Sequence, residues 1–312
     1  MKILFMGTPE PAAKCLEALI ESNHKVVAVI TQPDRPKGRG LNVAASPVKE
    51  LAQKNQIPVY QPEKIKDKAA IDLVKKIAPD LIVVAAYGKI LPKEIIDFPK
   101  YGSINVHASL LPEYRGAAPI QWAILNGEKE TGITIQKVFE ALDTGDIILQ
   151  KKVQIEPDDN SHSLTIKLFD AGSELLVEAV DLIESGKAQF IKQDEKQATY
   201  AAILKKEDGI IDWKKSANEV LDKVRALNPW PGAVTYYKGK TLKIIDAEEF
   251  DMGGNKCPAG QVSTIVKNEG FIVGSCDGEL LVKRVQPESG KAMSAYQFAL
   301  GRKMKAGDIL PS

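Results

Sequence analysis

The stretch best equipped for chemistry reads N-V-H-A-S-L-L-P-E-Y-R-G, from Asn105 to Gly116. It continues a strand-like run that begins at Ser103. Asn105 and His107 stand two apart, and on a strand that spacing turns both side chains to one face. An amide beside an imidazole suits carbonyl chemistry: one group donates to an oxygen that gains charge, and the other donates or shuttles a proton. A carboxylate is needed to set the state of such a histidine. Asp143 is the leading candidate. It sits in A-L-D-T-G-D between the apolar runs Ile133 to Val138 and Ile147 to Val153, where Thr144 and Gly145 allow a tight bend. Asp146 is the competing carboxylate. Taken alone, these residues point to group transfer to or from a carbonyl and no further.

Residues at a strand end need a sheet to hold them. Strand-like runs at Ile3 to Met6, Val26 to Ile30 and Leu81 to Ala85 alternate with helical spacing over Pro11 to Ser22 and Pro62 to Ala78. The alternation implies an α/β domain with a Rossmann-like, mostly parallel sheet, which binds ligands outside the carboxyl ends of its strands. The turn after the first strand, G-T-P-E-P, lacks G-x-G-x-x-G, and no phosphate-loop motif occurs, so a dinucleotide or nucleoside triphosphate site is not expected. Pro119 and Gly127 bracket a helix over Ala117 to Asn126, and Asp158 to Ser161 caps another that runs to Gly186.

The chain's 312 residues suit two domains. The polar stretch Lys192 to Thr199 has no apolar period, which sets the boundaries at a first domain over 1–191, a linker over 192–206 and a second domain over 207–312. After a helix at Ala217 to Leu227, the second domain has five short strand signals: Val234 to Tyr237, Thr241 to Ile245, Gln261 to Val266, Phe271 to Gly274 and Leu280 to Val285. These suit a smaller OB-like β-barrel. Cys15, Cys257 and Cys276 are far apart, as are the three histidines, so no metal is expected and the thiols read as reduced. No apolar run is long enough to span a membrane, and Met1 to Gly7 has no signal-peptide layout, so a cytoplasmic protein is expected. From Glu207 onward there are 15 basic and 14 acidic residues, against totals of 42 and 41, so any nucleic-acid contact must be local.

Asn105, His107, S-L-L-P from Ser109 to Pro112, Arg115-Gly116 and Asp143 in L-D-T-G together resemble the family of 10-formyltetrahydrofolate-dependent formyltransferases. Within it, F-M-G-T-P-E, the loop T-Q-P-D-R-P-K-G-R-G, N-P-W-P-G (Asn228 to Gly232) and the junction from Glu207 to Trp213 are similar to members that act on methionyl-tRNA. The likeness covers essentially the whole chain; Pro11 stands where the family often has phenylalanine.

The resemblance implies that the formyl group of 10-formyltetrahydrofolate passes to the α-amine of methionine on initiator methionyl-tRNA, through a tetrahedral intermediate. Asn105 and His107 would stabilise its oxygen, and Asp143 would orient His107 and aid proton transfer. Ser109, Leu110, Leu111 and Pro112 would line the folate site. Arg39, then Lys37 and Arg35, would meet the tRNA, with Lys283, Arg284, Arg302, Lys303 and Lys305 either a phosphate patch or a solvated face. A monomer is expected, with no metal and no membrane partner. The alternatives are a formyltransferase for a small amine such as glycinamide ribonucleotide, or a non-enzymatic nucleic-acid-binding module.

Overall fold

A computed structural model describes residues 1–37, 42–250 and 257–311. The chain forms two compact units. The first comprises Met1–Pro119, Glu130–Gln154 and Thr165–Ala201; the second comprises Ile120–Lys129, Ile155–Leu164 and Ala202–Ser312.

In chain order to residue 201, the elements are β1 (Lys2–Gly7), α1 (Glu10–Glu21), β2 (Lys25–Ile30), β3 (Arg35–Lys37), β4 (Asn42–Ala44), α2 (Pro47–Lys54), β5 (Val59–Tyr60), α3 (Lys68–Ile77), β6 (Leu81–Ala85), α4 (Lys93–Ile96), β7 (Ser103–His107), β8 (Arg115–Gly116), α5 (Pro119–Leu125), β9 (Glu130–Lys137), β10 (Ile147–Gln154), α6 (Ser161–Glu184) and β11 (Tyr200–Ala201). The main sheet has the order β10-β9-β7-β6-β1-β2-β5. β5, β2, β1, β6 and β7 run parallel, while β9 and β10 are antiparallel additions. The central parallel strands are apolar runs because helices cover both faces. Ile3 to Met6 and Leu81 to Val83 are fully buried. The first strand thus delivers Gly7, and β7 delivers His107, to the same edge of the sheet.

Three expectations change. The helix over Pro62 to Ala78 begins only at Lys68. Lys89 Nζ takes the carbonyls of Pro62 and Glu63 (3.3 and 2.6 Å), which a helix starting there would need for its own ladder. The basic loop from Thr31 to Gly40 contains a strand after all, since Arg35–Lys37 pairs antiparallel with Asn42–Ala44. The polar stretch from Lys192 is docked rather than a free tether: Tyr200 and Ala201 pair in parallel with Arg115 and Gly116. Several elements, among them α2, α4 and β5, lie outside the expected set. α2 carries a legible start signal, Ser46 followed by Pro47, and the Ser46 hydroxyl accepts the Lys49 N–H at 3.2 Å.

Beyond residue 201 come α7 (Ala217–Leu227), β12 (Ala233–Tyr237), β13 (Lys240–Phe250), β14 (Val262–Val266), β15 (Gly270–Gly274), β16 (Glu279–Pro287), β17 (Met293–Ser294) and α8 (Ala295–Gly301). The five longer strands form an antiparallel sheet in the order β12-β13-β16-β15-β14, with β17 paired to β16. Lys238 and Gly239 both have positive φ (49° and 75°), the backbone that a two-residue hairpin turn requires. The core gathers Trp213, Val220 and Val224 with Leu242, Phe271, Val282 and Phe298. Among the described residues no helix is long and apolar enough to cross a membrane.

α7 starts on a reciprocal cap. The Ser216 hydroxyl accepts the Glu219 N–H at 3.2 Å, and the Glu219 carboxylate accepts the Ser216 N–H at 3.0 Å. The Ser216 backbone N–H, then its hydroxyl and Lys215, hold the Glu219 carboxyl down at about 2, against an ordinary value of 4.5. A depressed carboxyl stabilises the fold above its unfolded value and loses that contribution as pH falls toward the folded one. Removing the N-cap hydroxyl with Ser216→Ala should destabilise the second unit by about 1 kcal/mol at pH 7, measured by urea unfolding. The deficit should shrink as the pH is lowered from 4.5 toward 2.

Candidate active site

The site is built on the polar stripe of an otherwise apolar sheet. Asn105 faces Gln136 and His107 faces Thr134 across the β7–β9 ladder, and Thr134 faces Gln150 across β9–β10. Directly opposed residues share a face, so all five side chains point to one side. The opposite face is closed by α6, where Gly172 lies so near the sheet that a Cβ would fall 2.4 Å from Ile133 Cδ1 and 3.4 Å from Val106 Cγ1.

His107 and Asp143 come together as expected. The pair is buried, with 7% and 8% of their side chains exposed, and His107 Nδ1 lies 3.5 Å from Asp143 Oδ1. The other ring nitrogen, Nε2, is 3.0 Å from the Tyr114 carbonyl oxygen. Both neighbours of the ring are acceptors, a carboxylate oxygen on one side and a backbone carbonyl on the other. Asp143 stands at φ 54°, in a turn whose carboxylate is fed by two donors. The Gly116 N–H donates to Oδ2 at 3.0 Å and Gln136 Nε2 donates to Oδ1 at 2.9 Å. Asn105 is half-buried beside them and makes no side-chain hydrogen bond among the described residues. Asp146, the competing carboxylate, forms no ion pair with His107 among the described residues; its carbonyl instead accepts the Lys137 N–H at 2.9 Å.

The S-L-L-P segment is a fixed loop pinned to the stripe. Thr134 Oγ1 donates to the Ser109 carbonyl (2.6 Å) and accepts the Leu111 N–H (3.2 Å), while Gln150 Nε2 donates to the Leu111 carbonyl (2.9 Å). Ser109 is fully buried with its hydroxyl on the Glu113 carbonyl, and Leu111 is 3% exposed. Leu110 and Pro112 keep partly exposed side chains, with Leu110 lying against Gly132.

Arg115 is almost fully buried. It forks onto the Glu195 carboxylate with two bonds of 2.8 Å and onto Gln193 Oε1 at 3.0 and 2.8 Å. The guanidinium holds the Glu195 carboxyl below the usual carboxylate range. Arg115 therefore ties the docked polar stretch to the site loop.

Of the residues expected at the tRNA, Arg39 lies outside the described residues. Lys37 is placed by its backbone in β3, and Arg35 is exposed. In the second unit Lys283 is paired with Glu248, while Arg284, Arg302, Lys303 and Lys305 are exposed. Gln136, Gln150, Thr134 and Gln193 are the site residues not singled out from the sequence. A signal existed for two of them, since Thr134 and Gln136 alternate with isoleucines in I-T-I-Q, which puts polar groups on one buried strand face.

A face of amide, imidazole and carboxylate at the carboxyl end of a parallel strand can serve group transfer at a carbonyl. Residues 1–180 match the family model described as formyl transferase, and residues 203–303 match that for the formyl transferase C-terminal domain. The chain belongs to the formyl transferase family. It is 48% identical over 309 residues to methionyl-tRNA formyltransferase of Sulfurihydrogenibium sp., covering 99% of both chains. It is 44% identical over 310 residues to methionyl-tRNA formyltransferase of Geobacter sulfurreducens, covering 99% of this chain and 96% of that one. In fold it is similar to the N-formyltransferase of Helicobacter canadensis solved with folinic acid and dTDP-3-aminofucose. That match has a TM-score of 0.67 at 22% identity and covers 92% of this chain and all of the other.

Gly145 closes the Asp143 turn against β9, where an added Cβ would fall 1.7 Å from the Lys137 carbonyl oxygen. Because the obstacle is backbone, Gly145→Ala must displace the turn. The expected cost is about 1–3 kcal/mol in urea unfolding. The His107 imidazole resonances should shift as Asp143 moves away, while those of His24 and His162 stay in place.

Proposed function

We propose that this chain transfers the formyl group of 10-formyltetrahydrofolate to the α-amino group of methionine on initiator methionyl-tRNA. The observation that carries the proposal is near-full-length identity to two proteins that bear the methionyl-tRNA formyltransferase name. The site geometry supports it. The donor supplies an electrophilic formyl carbon, whose oxygen gains negative charge as the amine adds; collapse of that adduct breaks the bond from the formyl carbon to folate N10, which leaves as tetrahydrofolate carrying a proton in exchange for the one the amine loses. Asn105, with its amide unengaged, donates to that oxygen. His107, placed between the Asp143 carboxylate and the Tyr114 carbonyl, helps stabilise that oxygen and shuttles a proton. Asp143 fixes the ring and helps take the proton that the amine loses, through water. The backbone of the Ser109 to Pro112 loop, with Leu110 and Pro112, faces the folate. Arg35, Lys37 and Arg39, in the segment from Thr31 to Gly40, meet the tRNA, and the chain acts as a cytoplasmic monomer.

Incubation of the protein with 10-formyltetrahydrofolate and charged initiator tRNA should give formylmethionyl-tRNA. Charged elongator tRNA and small amines should be poor acceptors; preferential formylation of glycinamide ribonucleotide would replace this reading. Asn105→Ala and His107→Ala should fold normally and lose at least about a hundredfold in single-turnover rate. Initiator tRNA should slow tryptic cleavage between Arg35 and Arg39, because a basic segment held on RNA is shielded from protease. Equal cleavage with and without tRNA would exclude contact there.

A further inference from the structure

Gln193 has no role in the proposed reaction, yet its amide bridges both halves of the site. Oε1 accepts from Arg115 Nε and Nη2 at 3.0 and 2.8 Å. Nε2 donates to the carbonyls of Asp143 and Gly145 at 2.9 and 2.7 Å and lies 3.3 Å from Gln136 Oε1. Gln136, 1% exposed, then donates from Nε2 to Asp143 Oδ1 at 2.9 Å. The partners settle both amide orientations. A guanidinium only donates and a backbone carbonyl only accepts, so Gln193 must turn oxygen to Arg115 and nitrogen to the turn. Gln136 then turns oxygen to Gln193 and nitrogen to Asp143. Donor-to-acceptor direction runs one way, from Arg115 through two glutamines to the carboxylate oxygen that faces His107.

The turn needs such a support. Glu140 to Leu142, which lead into Asp143, are exposed, and Asp143 itself holds a left-handed backbone. We infer that Gln193 is a positioning residue for formyl transfer. It grips the Asp143 turn by two backbone carbonyls and, through Gln136, aims Asp143 Oδ1 at His107 Nδ1. The inference rests on the proposed roles of His107 and Asp143.

A simpler role for Gln193, as a peg that fastens the docked stretch to Arg115, is separable by Gln193→Glu. Glutamate keeps an acceptor for Arg115 but has no N–H for the Asp143 and Gly145 carbonyls. A peg would tolerate it. A positioning residue would not: kcat should fall about 10- to 100-fold, with KM for both substrates little changed and the thermal midpoint retained. In an Asp143→Asn background the same substitution should cost no further activity beyond about twofold, because its effect runs through Asp143.

Wild-type kcat in Gln193→Glu beside a deeply impaired Asp143→Asn would overturn the inference and leave the Asp143 reading standing. Full activity in Asp143→Asn would remove the Asp143 reading and the inference with it. Additive losses in the double variant would also overturn the inference. If Gln193→Glu does not fold, Gln136→Met carries the test of the relay, since it removes the bond to Asp143 and the 3.3 Å contact with Gln193 while Gln193 keeps its bonds to Arg115 and to the Asp143 and Gly145 carbonyls.

Discussion

A buried carboxylate must be supplied with donors, and much of the first unit is arranged to supply Asp143. Its side chain is only 8% exposed, and an unpaired charge there would cost several kcal/mol. Its neighbours come from three separate stretches of chain: the Gly116 N–H from the site loop and the Gln136 amide from β9 donate to it, and the His107 ring at the end of β7 lies 3.5 Å away. Each of these is itself fixed. Gly116 is paired to β11, Gln136 is opposite Asn105 in the ladder, and His107 is braced by the Tyr114 carbonyl. Loosening any one of them would unsettle the others.

The sheet makes this arrangement possible by using its two faces differently. The face under α6 is apolar and tightly closed at Gly172, whereas the face carrying Asn105, His107, Thr134, Gln136 and Gln150 is polar and largely satisfied by its own loop. Thr134 and Gln150 spend their hydrogen bonds on the backbone of Ser109 and Leu111, so the loop is held by its main chain. Asn105 stands apart in this network because it has a polar group left over.

How much of this was legible in the sequence differed by kind of signal. Period and spacing placed the strands at Ile3, Val26 and Leu81, the helix α7 to the residue, and Asn105 with His107 on one face. The hairpin at Lys238-Gly239 also followed from its turn residues. Contacts made far along the chain left little local trace. Lys192 to Thr199 has the composition of a tether, and only the buried guanidinium of Arg115 turns it into part of the site. The start of α3 moved for a similar reason, since the Pro62 and Glu63 carbonyls are claimed by Lys89, more than twenty residues away. Short paired segments such as β3, β4 and β5 are too brief to show a period at all.

The pairing of Arg115-Gly116 with Tyr200-Ala201 also sets an order of events. The bonds from Arg115 reach across 78 and 80 positions of sequence. Closing so large a loop costs entropy that only the late contacts repay. A nascent chain leaving the ribosome carries His107 and Asp143 well before it carries Gln193 and Glu195. Until that later segment arrives, Arg115 has neither partner and the Asp143 turn has no grip on its carbonyls. Assembly around Asp143 is thus tied to synthesis of the chain past residue 201, so an abandoned fragment ending earlier would hold His107 and Asp143 without the segment that braces them.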